Sequence, residues 1–373
     1  MHAAAATTRL AASLGVVVLG WSLSCRPAWS PDSEQVAFIA VEGDSLVLAR
    51  HRVGQPTAAV AYRPPEQAKA CMAAAWLADG AELLVLSSAS EKPPKLRVVR
   101  IPLAGGAPRE FVLDTTATPD GNTFFEPVVV DGRLLLGGRT LRRLDLETGA
   151  VTEAAPEEAP AATDVIVAPR GEGAGYIWFA DKKDQTRWEI GAVDSESLTR
   201  TALLRAPEGN PWLARLAPAF HRDGARVALP VMRPRDAGHD LAVQVFDGGE
   251  RISSVRIDDA DSLGPFSWAP DGVTLVGTAW KARGGARRLE LVEVDFAGNR
   301  QVRTELLAFR GKPKEGSDDG PGLMLQASVS PDGRYVALTT AAADEDIGNE
   351  QRGLLLVDRT KTPRTVTRVP FPE

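Results

Sequence analysis

The sequence predicts an all-β fold, namely a seven-bladed β-propeller built from four-stranded antiparallel blades. The first observation is a short phrase that recurs along the chain and is clearest at Trp29-Ser30-Pro31-Asp32 and Ser330-Pro331-Asp332-Gly333. The second is the spacing of its aspartates, which stand at Asp32, Asp79, Asp131, Asp223, Asp271 and Asp332. Most intervals lie between 47 and 61 residues, and the one interval of 92 holds two steps of about 46. Repeats of this size that contain several strands are typical of a radial β-array.

Each repeat supplies four strands. The Asp-Gly pair predicts a tight turn, and an apolar run such as Val36 to Ile39 follows it. A third segment such as Leu289 to Asp295 alternates polar and apolar residues, and a Gly-centred turn then leads to a fourth, such as Ile252 to Ile257. We therefore expect residues 26–373 to form one propeller, with blades opening near Trp29, Trp76, Val129, Ala168, Phe220, Trp268 and Val329.

The large apolar residue before each turn aspartate is interpreted as a wedge between neighbouring blades, and the aspartates as structural. The segment Gly171 to Gly175 resembles a phosphate loop, but it is interpreted as a hairpin because no helix follows it. Asp258, Asp259 and Asp261 lack the spacing of a calcium loop.

These residues resemble the WD40-like (PD40) repeat of the TolB type, whose signature reads W-S-P-D-G followed by an I-A-F-like strand. The best copy is Trp29 to Asp32 with Val36-Ala37-Phe38, and Ser330 to Gly333 with Tyr335 to Leu338 is nearly as good. The resemblance covers about residues 27 to 369 and implies a β-propeller. TolB itself carries an α/β domain before its propeller, and we do not expect one in this chain.

Residues 1–24 have the pattern of an export signal, with Arg9 followed by an apolar core from Leu10 to Trp21. Cys25 follows a small residue, Ser24, as in a bacterial lipobox, so we expect lipidation at Cys25 and a periplasmic or outer-membrane location. Two alternatives remain open: simple cleavage after Ser24, which would leave the protein soluble in the periplasm or secreted, and a retained anchor.

Cys25 and Cys71 are the two cysteines of the chain. If Cys25 were not acylated, the two could form a disulfide between adjacent blades in an oxidising compartment. The other interpretation makes Cys71 a small buried apolar residue.

A binding surface is expected on the face that carries the long connections, because binding residues collect on loops held by a rigid scaffold. These connections include Met232 to His239 and Trp280 to Arg287. The candidate binding residues are Trp212, Arg233, Arg235, Trp280, Lys281 and Arg283, and the two tryptophans are expected to be exposed. A formal net charge of −6 argues against nonspecific nucleic-acid binding.

The expected function is binding of a protein or peptide at the cell envelope by a monomer, attached to the membrane through its N-terminal lipid. The sequence lacks G-x-S-x-G, H-E-x-x-H and C-x-x-C motifs, so we expect no enzyme, no cofactor and no metal. The alternative is a glycan- or peptide-processing hydrolase or lyase with its site at the mouth of the propeller channel.

The export segment yields the first testable prediction. The Cys25→Ala variant should move from the membrane fraction to the soluble periplasm, because it removes the one acyl acceptor of the lipobox. Fractionation followed by immunoblotting measures this shift. An unchanged membrane fraction, or an unmodified N-terminal peptide in mass spectra of the wild type, would exclude lipidation.

Overall fold

The computed structural model describes most of the chain after residue 25. The described residues are 26–65, 70–77, 80–89, 95–114, 127–138, 140–154, 165–179, 186–214, 218–236, 239–283, 286–298, 300–310, 325–341 and 351–372. None of them lies in an α-helix, and among them no helix is long and apolar enough to cross a membrane. Cys25 lies outside these residues, and Cys71 lies within the first strand of the second blade.

The described residues form two compact units. The first comprises the described residues up to 114 together with those from 325 onward, and the second comprises the described residues from 127 to 310. Blades 1 and 2 belong to the first unit and are built from β1 (Ala28–Trp29), β2 (Gln35–Glu42), β3 (Ser45–Arg52), β4 (Ala59–Tyr62), β5 (Ala70–Trp76), β6 (Glu82–Ala89), β7 (Lys95–Pro102) and β8 (Arg109–Asp114).

Blades 3 to 6 make up the second unit. Blades 3 and 4 contain β9 (Val128–Val130), β10 (Arg133–Leu136), β11 (Arg142–Asp145), β12 (Val151–Glu153), β13 (Val165–Arg170), β14 (Gly173–Phe179), β15 (Trp188–Val193) and β16 (Arg200–Arg205). The first strand of blades 5 and 6 is split into two short segments that pair with the same second strand. These blades contain β17 (Leu213–Ala214), β18 (Ala219–Phe220), β19 (Arg226–Pro234), β20 (His239–Asp247), β21 (Glu250–Arg256), β22 (Ser262–Leu263), β23 (Ser267–Trp268), β24 (Thr274–Arg283), β25 (Ala286–Asp295) and β26 (Arg300–Arg310).

Blade 7 returns to the first unit. Its strands are β27 (Ser328–Val329), β28 (Tyr335–Thr339), β29 (Leu354–Asp358) and β30 (Thr365–Val369). The predicted fold class, an all-β seven-bladed propeller with four-stranded antiparallel blades, is confirmed.

The recurring phrase forms the turn between the first and second strands of a blade. In blade 1 the Ser30 hydroxyl donates to Asp32 Oδ1 over 2.5 Å, and the same oxygen accepts the backbone N–H of Glu34 at 3.0 Å. Ser330 and Asp332 repeat the arrangement in blade 7. A short polar side chain that binds its own backbone in this way stabilises a turn, which explains why the phrase recurs at the first turn of blades 1 and 7.

The tryptophans before these turns connect neighbouring blades. The indole Nε1–H of Trp29 donates to the backbone oxygen of Ser328 in blade 7 at 2.9 Å, and Trp76 donates to Ala28 in blade 1 at 2.8 Å. Trp268 makes the same bond to Ala219 in blade 5 at 2.9 Å. These three contacts confirm that the aromatic residues of the phrase pack between blades.

Blades 1 and 7 meet within the first unit, and this contact joins the two ends of the repeat array. The rings of Trp29 and Tyr335 stack with centroids 6.2 Å apart. Thr339 Oγ1 donates to the backbone oxygen of Ile39 at 2.7 Å, and the backbone N–H of Asp332 donates to Ser33 Oγ at 3.0 Å.

The indole bonds can be tested with two matched substitutions. Trp29→Phe should lower the free energy of unfolding by about 0.5–1.5 kcal/mol more than Trp188→Phe, because it removes a buried hydrogen bond between two blades. The control is suitable because Trp188 is 3% exposed and its Nε1 has no partner among the described residues. Chemical denaturation followed by circular dichroism measures both changes. Equal losses would mean that ring packing, and not the hydrogen bond, stabilises the blade contact.

Candidate functional site

The strands of blades 5 and 6 are longer than the sequence analysis expected. β19 and β20 have nine residues each and β24 and β25 have ten, whereas β28 and β29 of blade 7 have five. The expected loops Met232 to His239 and Trp280 to Arg287 are therefore wrong, because strand pairing continues to Pro234↔His239 and Arg283↔Ala286. Arg233 and Lys281 consequently lie on strands and not in loops.

Trp280 is the clearest correction among the candidate residues. Its side chain is 1% exposed, so the expectation that it lies exposed at the rim is wrong. It belongs to β24, and the alternation of that long strand turns it inward. Lys281, the next residue, pairs with Asp259 at 3.4 Å, and the side chain of Arg283 lies outside the described part of the structure.

Three other candidates are brought together at one end of blade 5. The register pairs Leu213 with Met232 and Arg233 with Asp240, so Trp212, Arg233 and Asp240 follow one another across neighbouring strands. We call Trp212, Arg233, Arg235, Asp240 and Arg256 the arginine row. Its members lie at the end of the blade opposite the Asp-Gly turn.

The arginine row faces blade 4. Val231 and Ala242 pack in one apolar cluster with Trp188 of blade 4, and Trp212 packs against the same cluster. Because alternate residues of a strand share a face, Arg233 and Asp240 point to the same side as Val231 and Ala242. Trp212 is partly buried, so the expectation of an exposed tryptophan is met only in part.

Asp240 is the centre of the row. Its side chain is 7% exposed and contacts the Arg235 guanidinium, and its Oδ1 lies 3.3 Å from Nη2 of Arg256. Arg256 also holds Asp258, with 2.8 Å between Nε and Oδ1. The two guanidinium groups remain open to solvent, because the side chains of Arg235 and Arg256 are 54% and 63% exposed.

Asp240 and Arg256 were missed by sequence reasoning. A signal was available for Asp240, because it immediately precedes the alternating segment Leu241 to Asp247 and so begins a strand beside the expected rim. Arg256 ends the fourth strand, and its contact with Asp240 depends on the register of β20 against β21.

The arrangement suits an anion better than a metal. A guanidinium group presents a planar fork of N–H donors that matches carboxylate or phosphate oxygens. Carboxylates that could hold a cation are already paired with arginine or lysine, as Asp240, Asp258 and Asp259 show. Among the described residues, no group of three or more His, Cys, Asp or Glu side chains is placed to bind a metal.

A histidine–carboxylate pair lies at the opposite, turn-bearing end of blade 5. His221 Nδ1 is 2.7 Å from Asp223 Oδ2, and His221 is 4% exposed beneath the ring of Trp268. His221 occupies the position that Ser30 has in blade 1, two residues before the turn aspartate. The pair is therefore a variant of the structural turn.

The glycine-rich segment Gly171 to Gly175 is a hairpin, as the sequence analysis interpreted it. β13 and β14 pair directly around the two residues Gly171 and Glu172. Gly175 is required by packing, since a Cβ atom there would lie 2.3 Å from the ring of Phe220 in blade 5.

Comparisons with known proteins agree with the fold. The chain is similar to the solved structure of a putative 6-phosphogluconolactonase from Bacteroides uniformis, with 13% identity and a TM-score of 0.55 over 91% of this chain and 98% of that one. It is similar to the hydrazine synthase of Kuenenia stuttgartiensis, with 12% identity and a TM-score of 0.52 over 84% of this chain and 81% of that one. It is also similar to TolB from Acinetobacter baumannii, with 16% identity and a TM-score of 0.45 over 74% of this chain and 64% of that one. No family model and no curated protein sequence matches the chain.

The comparisons overturn one expectation. The chain was expected not to be an enzyme, and this is wrong, because structures of the same fold carry the names of enzymes, a lactonase and a synthase. The expectation rested on missing sequence motifs, and such motifs do not cover every catalytic use of a fold. The hydrolase or lyase alternative stays a hypothesis.

The turn of blade 5 yields a pH-dependent prediction. Burial raises the pKa of Asp223, but the backbone N–H groups of Arg226 and Ala225 and the side chains of Arg226 and His221 outweigh it and hold the pKa well below its usual value. A carboxyl whose pKa is lower in the folded state stabilises the fold above its unfolded pKa, and this contribution is lost as the pH falls.

The Asp223→Asn variant should therefore be less stable than wild type at pH 7, and the difference should shrink as the pH falls below about 4. Thermal unfolding at a series of pH values measures it. The exposed Asp236 provides the control, and Asp236→Asn should change stability little at any pH. A difference that stays constant with pH would show that the lowered pKa has no part in the stability of the turn.

Proposed function

We propose that the protein is an exported β-propeller that binds a protein or peptide partner at the cell envelope through the arginine row. The observation that carries the proposal is the pair of guanidinium groups, those of Arg235 and Arg256, that contact the buried Asp240. Arg233 lies opposite Asp240 across the strand pair, and Trp212 lies beside Arg233. Tryptophan and arginine are the residue types that dominate the energetics of protein interfaces.

The rigidity of the scaffold supports this use of the surface. Arg233, Asp240 and Arg256 lie on β19, β20 and β21, whose pairing continues to this end of the blade. Arg235 follows the last residue of β19, and Trp212 precedes β17. Trp212 is positioned by Asn210, whose Nδ2 donates to the backbone oxygens of Trp212 at 3.1 Å and Thr186 at 3.4 Å. Because the strands and Trp212 are already held in place, binding of a partner at this surface costs less conformational entropy.

The cellular location rests on the sequence of residues 1–25. An export signal that ends in a lipobox-like cysteine supports a periplasmic protein attached to the membrane through a lipid on Cys25. The first described strand begins at Ala28, so the anchor would hold the propeller close to the membrane. The partner is then a protein or peptide of the envelope.

A capture experiment with the full chain tests the proposal. Tagged wild-type protein is crosslinked in cells and recovered from envelope extracts, and the retained protein is identified and purified for titration. The Arg233→Gln/Arg235→Gln variant should lose the partner, because each true interface anchor contributes about 2 kcal/mol or more, which corresponds to roughly thirtyfold in affinity.

The control variant is Arg251→Gln/Arg300→Gln, which removes the same charge from two exposed arginines at the turn-bearing ends of blades 5 and 6. It should retain the partner. The Arg233→Gln/Arg235→Gln variant removes one of the two partners of the buried Asp240, so a lower melting temperature is expected for it, and binding is measured at a temperature at which both variants are folded. The proposal is wrong if wild type retains no specific partner, or if the two double variants bind the purified partner equally well.

A further inference from the structure

We propose that the arginine row selects a single carboxylate, so that the bound partner presents an aspartate, a glutamate or its own C-terminus beside an apolar side chain. This inference deepens the proposed function and rests on it. It concerns the chemistry of the group that the site takes, which neither the fold nor the comparisons indicate.

The first step is the orientation of the guanidinium groups. Asp240 contacts both Arg235 and Arg256, and its side chain is 7% exposed. It is therefore a buried acceptor in a fixed position for two long, solvent-exposed side chains. A buried carboxylate loses its hydration, and it is retained in a fold when its partners compensate for that loss. Arg235 and Arg256 are thereby held with their remaining N–H donors directed away from Asp240.

The second step is the charge balance of the arginine row together with Asp258, which Arg256 contacts. Arg233, Arg235 and Arg256 carry three positive charges, and Asp240 and Asp258 carry two negative ones. One positive charge is left over. A carboxylate, with one negative charge, neutralises the group, whereas a phosphate monoester carries about 1.5 to 2 negative charges at neutral pH.

The third step is the apolar surface of the row, which Trp212 provides beside Arg233. Trp212 follows Arg233 in register and packs on the apolar cluster that contains Val231 and Trp188. It is partly buried and offers the apolar surface of the row. One aromatic ring beside a compact group of guanidiniums suits one carboxylate with an apolar side chain next to it, as in an acidic peptide segment.

Four defined probes test the inference by isothermal titration calorimetry with the full chain. The first is the blocked peptide Gly-Leu-Glu-Leu-Gly, which presents one carboxylate between apolar side chains. Two further peptides carry glutamine or phosphoserine in place of the glutamate. The fourth probe is trigalacturonate, an acidic glycan that represents the glycan-processing alternative. The glutamate peptide should bind at least tenfold more tightly than each of the other three, and its affinity should fall as salt is raised, because exposed charges are screened.

Variants locate the binding on the row. Arg235→Gln and Arg256→Gln should each weaken binding of the glutamate peptide at least tenfold. Arg251→Gln is the matched control, because Arg251 is an exposed arginine on the same strand, β21, near its opposite end. It should bind as the wild type does.

Several outcomes would overturn the inference. They are undetectable binding of the glutamate peptide, equal binding of its glutamine counterpart, tighter binding of the phosphoserine peptide or of trigalacturonate, and an equal loss in Arg251→Gln. Competition against a captured partner separates the two proposals. If the Arg233→Gln/Arg235→Gln variant loses that partner but the glutamate peptide neither binds nor displaces it, the proposed function stands and the carboxylate inference fails.

Discussion

The bond from an indole N–H to the backbone of the adjacent blade is the contact on which the packing of blades 1, 2 and 6 against their neighbours depends. Trp29, Trp76 and Trp268 each donate to the residue just before the aromatic or apolar position of the adjacent repeat. One side chain therefore fills the space between two sheets and adds a second hydrogen bond to a backbone oxygen that also belongs to the ladder of its own sheet. A hydrogen bond of this kind contributes about 0.5–1.5 kcal/mol, and its geometry favours one relative position of the two blades.

This contact explains why the sequence predicted the fold well. The tryptophan, the turn aspartate and the apolar run lie within about a dozen residues, so one short phrase contains both the turn and the blade contact. The third-to-fourth turns carry a further aspartate that sequence reasoning missed. Asp145 accepts the backbone N–H of Thr148 at 2.6 Å, and Asp194 accepts that of Ser197 at 2.6 Å. An aspartate that ends an alternating strand is a usable signal for this second turn.

The candidate site was predicted less completely, and the reason is the length of the strands. Alternation in Leu241 to Asp247 indicated a strand, but nothing local showed that pairing continues to Pro234 and His239. Strand ends are decided by cross-strand partners, which lie on a different part of the chain. The same uncertainty made Trp280 appear exposed, whereas three more residue pairs of β24 and β25 lie beyond it and its side chain is buried. Arg233 and Arg235 could be chosen as candidates from the sequence alone, because the sequence shows charged residues near the end of a blade without any knowledge of the strand register.

The contact between blades 1 and 7 has a consequence for the order in which the protein is made. Trp29 is among the first described residues to be synthesised, yet its acceptor, Ser328, follows 299 residues later. Until blade 7 has emerged, the outward face of blade 1 has neither its hydrogen-bond partner nor the ring of Tyr335 to cover it. Blade 1 is thus the first repeat to be synthesised and one of the last to complete its contacts with both neighbouring blades. A chain interrupted before residue 328 exposes an apolar sheet face, which is the kind of surface that chaperones and proteases recognise.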